Sequence, residues 1–238
     1  MTVEKPHPNK ESIKEYLESF NMASERKRIG SLTGLEERVD DLLSLGSSLM
    51  SGFDPGIYDW PSGFILQLIH KNDDSFIKNN LNCDDLCWFK APSEVGFDYS
   101  PLQRYLLNEN YEDADRFTSA KLRELAGAKA VKRGYVYFSE VEKIPSIDLS
   151  TLDNLWIVYS RGKFGFTVQA KILDSVGGRY DKLWPRIGWK KDGIWTRYPK
   201  AFNWSIEAPN GHMPLVNQLR GVRLMDALLN HQALTTKS

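Results

Sequence analysis

Apolar residues recur along the first 80 or so positions at helical spacing. Ile13, Tyr16, Leu17 and Phe20 fall at i, i+3, i+4 and i+7, which predicts a helix with one buried stripe. Thr33 and Glu36 have the T-x-x-E spacing of a capping box, and Leu35, Val39, Leu42 and Leu43 supply the apolar face of the helix it would start. Gly46 or Gly52 is placed to end that helix. Pro55, Gly56, Pro61 and Gly63 predict a loop. Phe64, Ile65, Leu68 and Ile69 then open another helix, and Phe76, Ile77 and Leu81 fit one more.

From Asn82 to Tyr99 periodicity fades, which predicts a linker and a domain boundary near residue 90. Ser100-Pro101 reads as an N-cap followed by proline at the first helical position. A helix from about Glu112, with Asp113 and Asp115 in its first turn, should stop at Gly127. Ser150 is placed to cap a helix carrying Leu152, Leu155 and Trp156. Phe164 to Val176 is helical in spacing and is stopped by Gly177-Gly178. Tyr135 to Phe138 and Ile194 to Trp204 are rich in β-favouring aromatics and read as short strands or as loop. The pattern as a whole is mostly helical.

A last helix is expected from Pro214 to about Asn230. Leu215, Val222, Met225 and Leu229 would share its buried side, while Asn217, Arg220 and Arg223, three apart, would point away from the core. Just upstream, four of seven tryptophans (Trp184, Trp189, Trp195 and Trp204) alternate with Arg186, Lys190, Lys191, Arg197 and Lys200. Flat apolar side chains beside fixed cations suit a flat, apolar, anionic partner. Stacked bases of single-stranded nucleic acid also fit that description.

Charge sharpens this picture. The 238 residues carry no net charge, yet residues 1–100 hold 10 Lys/Arg against 17 Asp/Glu, and residues 161–238 hold 13 against 5. The two ends therefore present surfaces of opposite sign. Apolar and charged contents of 41% and 26% are those of a soluble globular chain. No apolar run is long enough to span a bilayer, and the N-terminal stretch has no apolar signal region. Cys83 and Cys87 are too few for a disulfide framework and lack the companions of a zinc site. The chain has no G-x-x-x-x-G-K-[ST], G-x-S-x-G or H-E-x-x-H motif. His212 reads as structural, and Glu140 and Glu142 as a solvated pair.

Five stretches in order, EDADRFTSAKLRELAG, GYVYFSEVEKIPSIDL, LDNLWIVYSRGKFGFTVQ, KLWPRIGWKKDGIWTRYPKAFNW and GHMPLVNQLRGVR, resemble the genomes-uncoupled-four family. The likeness covers about residues 98–231. The preceding segment resembles, more weakly, the N-terminal helical domain of cyanobacterial members. The resemblance implies an all-α fold: an N-terminal helical bundle (1–90) and a tetrapyrrole-binding core (91–238) shaped like a cupped hand. It resolves the ambiguous aromatic segments toward helix and loop. It also implies a non-catalytic porphyrin carrier that binds protoporphyrin IX and Mg-protoporphyrin IX. Such a carrier activates magnesium chelatase in chlorophyll biosynthesis through the large porphyrin-binding (H) subunit. It has no intrinsic cofactor and no nucleic-acid partner.

By motif, Phe138 and Val131 are ring walls, Trp195 and Tyr198 belong to the loop over the pocket, and Asn217, Arg220 and Arg223 meet the polar edge of the ligand. Asn217 or His212 would approach a porphyrin-bound magnesium directly or through water. Trp184, Trp189 and Trp204 are expected to pack the fold. Tyr198 departs from the tryptophan that related cyanobacterial sequences can carry, and a smaller ring stacks less well. The expected setting is the cytoplasm of a cyanobacterium, peripheral to thylakoid membranes. The short segment after the last helix lacks the longer tail of plant members and its phosphorylation.

Overall fold

The computed structural model describes residues 12–81, 83, 86–216 and 222–235. Its helices begin with α1 (Ile13–Met22), α2 (Glu25–Gly30), α3 (Leu32–Glu36) and α4 (Val39–Ser44). The α1 stripe is as expected, with Ile13, Leu17 and Phe20 buried. The capping box lies at its start rather than at Thr33. Ser12 Oγ accepts from the Glu15 N–H at 3.2 Å, and Glu15 Oε2 accepts from the Ser12 N–H at 2.8 Å. Thr33 lies inside α3, and the single helix expected there is two short ones that bury Leu35 and Leu42.

Helix α5 (Trp60–Asn72) contains Pro61 and Gly63, which the sequence placed in a loop. Proline is tolerated in the first turn because its missing N–H would have no helical partner there. Gly63 is where the backbone of α5 meets helix α10 (Ser146–Val158). A Cβ at Gly63 would sit 2.2 Å from the Val158 carbonyl oxygen. Close by, the buried Gln67 donates through Nε2 to the carbonyls of Leu106 and Tyr159, both at 2.8 Å. Helix α6 (Phe76–Leu81) completes the N-terminal group.

The remaining elements are α7 (Ser100–Leu107), α8 (Tyr111–Ala126), α9 (Ala128–Arg133), a 3-10 helix (Phe138–Lys143), α10, α11 (Phe166–Ser175), α12 (Tyr180–Arg186), β1 (Lys190–Lys191), β2 (Ile194–Trp195), α13 (Val222–Leu229) and α14 (Gln232–Thr235). The class is all-α. Helix α10 is the centre: Leu149, Leu152, Leu155, Trp156 and Val158 are all buried, and only the side bearing Ile147, Ser150, Asn154 and Ile157 is left partly open. It starts after Pro145, so Ser150 is interior and caps nothing. Trp156 donates to Thr118 Oγ1 at 2.9 Å and stacks on Tyr111, fixing α8 against α10.

The stretch expected as a linker is bound to this core through residues 86–99. Phe89 and Tyr99 are buried, and Phe89 exchanges two hydrogen bonds with the Gln103 side chain at 3.1 and 2.9 Å. The buried Asp148 carboxylate accepts from the Glu94 N–H at 2.9 Å and the Tyr99 hydroxyl at 2.7 Å. One hydrophobic cluster runs from Ile13 to Leu234.

Two local expectations fail for identifiable reasons. Residues 214–216 are not helical. The Leu215 N–H donates to Asp115 Oδ1 at 2.6 Å, and the buried Gln169 donates to the carbonyls of Gly211 and Pro214 at 3.0 and 2.8 Å. Gln169 thus takes the Pro214 carbonyl, which a helix would use, and Asp115 holds the next residue in place. In α13, Leu224, Met225, Leu228 and Leu229 are buried, whereas Val222 is exposed. Ile194–Trp195 is a strand, paired antiparallel with Lys190–Lys191 in the register Lys190↔Trp195. Asp192 and Gly193 form its two-residue turn with φ of 50° and 81°, the left-handed pair that a type I′ hairpin requires.

Candidate functional site

Helix α8 has an apolar side against α10 and a second side that stays polar. Asp115, Arg116, Ser119 and Arg123 recur at three- and four-residue spacing, so they line up along one strip of the helix. The same cleft is lined by Trp195 at the end of the hairpin, by Thr196, Arg197 and Tyr198 after it, and by Leu215 and Gly134. Its volume is about 550 Å³. It continues into an apolar recess lined by Leu122, Val136, Val141, Val216, Leu224 and Leu228, which shares Ser119, Arg123, Gly134 and Leu215 with it.

The hairpin holds the aromatic wall in place. Trp189 is fully buried, donates to the His212 carbonyl at 2.8 Å and stacks on Trp184 with ring centroids 5.6 Å apart. Trp195 leans on Trp184 at 5.5 Å, with Lys190 Nζ 5.3 Å from its ring. Trp204 packs on Phe202 and donates to the Pro199 carbonyl at 3.0 Å. Trp184, Trp189 and Trp204 thus pack the fold as expected, and Trp195 is left facing the cleft.

Residues 133–143 contribute Gly134 to the cleft and Tyr135, Val136 and Val141 to the recess beside it. Arg133 lies over the Tyr137 ring at 3.9 Å and the Tyr135 ring at 4.7 Å, and pairs with Glu140. Glu140 also accepts from the Tyr137 N–H at 2.9 Å, and this bond, with Arg133 beside it, holds its carboxyl below the usual range. Glu140 is therefore a structural anchor of this turn, not half of a solvated pair. The knot leaves Phe138 at the start of the 3-10 helix, 47% exposed. Helix α13 packs on that 3-10 helix, and the Arg223 guanidinium lies 5.6 Å from the Phe138 ring centre. Val131, on α9, is 50% exposed.

Of the residues expected from the sequence, Trp195 and Tyr198 line the cleft, Phe138 and Arg223 meet each other, and Val131 is exposed on α9. Asn217 and Arg220 lie outside the described residues. His212 does not serve a ligand. It is 2% exposed, its Nδ1 is 2.6 Å from the Ile187 carbonyl, and its Nε2 accepts from the Asn203 N–H at 3.3 Å. Burial holds its pKa below the ordinary value, so it is neutral and fully occupied in the interior. Both ring nitrogens of His212 are thus engaged inside the fold.

The sequence reading missed the α8 strip. Arg116 lines the cleft and is paired with Glu112 at 2.5 Å and Asp113 at 3.6 Å. Arg123 donates to Ser119 Oγ at 3.0 Å and pairs with no carboxylate among the described residues. The signal was present: Arg116, Ser119 and Arg123 keep helical register on the side that the apolar stripe leaves free. Asp115 was also missed. It is buried, and burial pushes its carboxyl up to about 7 against the opposing effects of the Leu215 N–H and the Tyr198 hydroxyl. The same proximity, after burial, pushes Tyr198 up to about 12. Among the described residues no group of three or more metal-ligating side chains converges.

The fold is thus an all-α scaffold with one cleft lined by aromatic side chains and by guanidiniums. The chain belongs to the GUN4-like family, whose model matches residues 92–232. A Ycf53-like protein of Synechocystis is 50% identical over 143 residues, covering 60% of this chain and 61% of its own length. The chloroplastic tetrapyrrole-binding protein of Arabidopsis thaliana is 39% identical over 147 residues, 58% of this chain and 56% of that one. The solved structure of GUN4 from Chlamydomonas reinhardtii superposes with a TM-score of 0.58 at 38% identity, over 61% of this chain and 93% of that chain. The match to these curated relatives thus spans about three fifths of their length.

Proposed function

We propose that this protein binds protoporphyrin IX and Mg-protoporphyrin IX in the cleft between α8 and the hairpin, and that it activates magnesium chelatase in chlorophyll biosynthesis. The observation that carries the reading is that Trp195 and Tyr198 and the guanidiniums of Arg116, Arg123 and Arg197 line one cleft of about 550 Å³. That volume falls within the roughly 300–1,000 Å³ of small-molecule sites. A porphyrin presents two apolar faces and two propionates. The faces suit Trp195, Tyr198 and the apolar recess. Guanidiniums bind carboxylates through paired, charge-assisted hydrogen bonds and stay charged at any physiological pH. The Arabidopsis relative's name as a tetrapyrrole-binding protein supports the same ligand class.

Phe138 and Arg223 form the outer rim, with Val131, Asn217 and Arg220 as further contacts implied by the family motif. The protein supplies no chemistry of its own. It delivers porphyrin to, or receives it from, the large porphyrin-binding subunit of the chelatase, in a cyanobacterial cytoplasm and peripheral to thylakoid membranes. Titration with protoporphyrin IX should quench tryptophan fluorescence, because Trp195 lines the cleft, and should shift the Soret band. Removing both rim guanidiniums (Arg220→Ala with Arg223→Ala) should weaken binding. Absence of saturable binding at micromolar porphyrin would end this reading. A chelatase assay across magnesium concentrations, with and without the protein, tests the activating role separately.

A further inference from the structure

Asp115 stands where the cleft's three parts meet. It lies on α8, 1% exposed, beneath the polar strip. Its Oδ1 accepts from the Leu215 N–H at 2.6 Å, a contact a hundred positions apart in sequence. Tyr198, on the other wall, is near enough for its hydroxyl and this carboxyl to influence each other. Asp115, Tyr198 and Leu215 all line the cleft. One carboxyl on the floor therefore holds the segment that leads toward Arg223 and lies near the loop after the hairpin.

Each of these walls has a polar group that its other contacts leave unused. The Tyr198 ring packs edge-on against Phe202 and Trp204, which does not engage its hydroxyl. Leu215 belongs to the non-helical run 214–216, so its N–H has no helical acceptor. A buried carboxylate is unfavourable without donors; the Leu215 N–H is one, and the nearby Tyr198 hydroxyl is placed to be a second. The charged and titratable groups around it are Arg116 and Glu112 on its own helix and Tyr198 from the loop.

We propose that Asp115 is a positioning residue that ties the Tyr198 loop and the Leu215 segment to α8, and so preorganises the cleft for its tetrapyrrole. The proposal rests on the tetrapyrrole reading above. It also gives the tyrosine at position 198 a purpose beyond its smaller ring, since its hydroxyl is what reaches the carboxyl. Preorganised walls lose less freedom when ligand arrives, so cutting the tie lowers affinity even though Asp115 need not touch the ligand.

The test is protoporphyrin IX affinity in the full chain, read by tryptophan quenching, for wild type, Asp115→Ala, Asp115→Asn, Tyr198→Phe and the Asp115→Ala/Tyr198→Phe double variant. Wild type must bind; if it does not, the tetrapyrrole reading has failed and not this inference. Asp115→Ala should bind about tenfold more weakly, the loss of one to two hydrogen-bonded ties. Asp115→Asn should recover most of that loss, because its amide oxygen accepts from Leu215 and its amide nitrogen donates to the Tyr198 oxygen. Tyr198→Phe keeps the ring and cuts one tie, so the double variant should bind like Asp115→Ala alone rather than as the sum. Circular dichroism identifies any variant that fails to fold. If only Asp115→Ala is lost this way, the Asn and Phe variants still decide the matter. Wild-type affinity in Asp115→Ala, no recovery in Asp115→Asn, or additive losses in the double variant would overturn the proposal.

Discussion

The Gln67→Met substitution tests whether the N-terminal helices and the binding core share one interior. Gln67 sits on α5 and is 7% exposed. Its Nε2 donates to the carbonyls of Leu106 and Tyr159, which end α7 and α10, each at 2.8 Å. Methionine has nearly the same volume and keeps the apolar stem, so packing is disturbed little. What is lost is two hydrogen bonds to groups at helix ends. Neither carbonyl is stranded: Leu106 O still accepts from the Glu109 N–H at 3.1 Å, and Tyr159 O from the Tyr111 hydroxyl at 3.4 Å. The lower range for a lost bond therefore applies, about 1 kcal/mol each and about 2 kcal/mol together. For a chain of this size that corresponds to a fall of about 4–8 °C in Tm. Thermal unfolding followed by circular dichroism measures it. A loss below about 0.5 kcal/mol, the scale of a neutral surface change, would show that α5 is not fixed to the core through this side chain.

The same interface predicts a larger effect at Gly63, where a Cβ would lie 2.2 Å from the Val158 carbonyl oxygen and 2.7 Å from its carbon. Gly63→Ala forces backbone to move and should cost about 2–4 kcal/mol, read as a Tm drop larger than that of Gln67→Met. Arg123→Ala should weaken protoporphyrin IX binding about three- to tenfold at low salt and leave Tm within about 2 °C; an unchanged dissociation constant would remove Arg123 from the site. His212 is held neutral by burial, so its unfolded form binds protons more readily than its folded form. Its contribution to stability is present above the unfolded pKa of about 6.5 and is lost as pH falls through the folded value. Comparing urea unfolding of wild type and His212→Asn at pH 7 and pH 5 isolates this: the gap between them should narrow at pH 5, and a constant gap would contradict it.

Long, regular features were legible in the sequence. The α1 stripe, the acidic start and glycine stop of α8, and the apolar spacing of α11 all depend on residues within a turn or two of each other. What was missed depends on partners far along the chain. Pro214 looked like a helix start because nothing local forbids it, yet Asp115 and Gln169 capture the backbone groups at 211, 214 and 215 instead. Gly63 looked like a loop residue because its use is a close approach to Val158, a contact with no local signature. The Asp192-Gly193 turn was a local signal passed over, because its strands are only two residues long and show no alternation. At the site, the aromatic wall was legible from composition and the α8 cations were not. Arg116 and Arg123 sit among Glu112, Asp113 and Glu124, so counting charge by segment hides them.

That hidden row bears on which flat anion the cleft suits. Counted along the sequence, the cations lie in the last third and suggest a basic surface that a polyanion could follow. In three dimensions the two halves of the site come from different charge regions. Arg197 and Arg223 belong to the basic end, whereas Arg116 and Arg123 project from a helix with as many acids as bases along its outer side. A single-strand-binding groove needs cations spaced along a track and aromatics that take successive bases. Here the cations instead share a bounded space with the aromatic wall, and the apolar recess of Leu122, Val136, Val141, Leu224 and Leu228 extends its floor. The recess holds about 50 Å³, room for a small apolar substituent on the rim of a macrocycle whose carboxylates turn toward the guanidiniums, and a phosphodiester chain has no such group to place there. A bounded cleft with one small apolar recess therefore suits a substituted macrocycle better than a strand that must run past it.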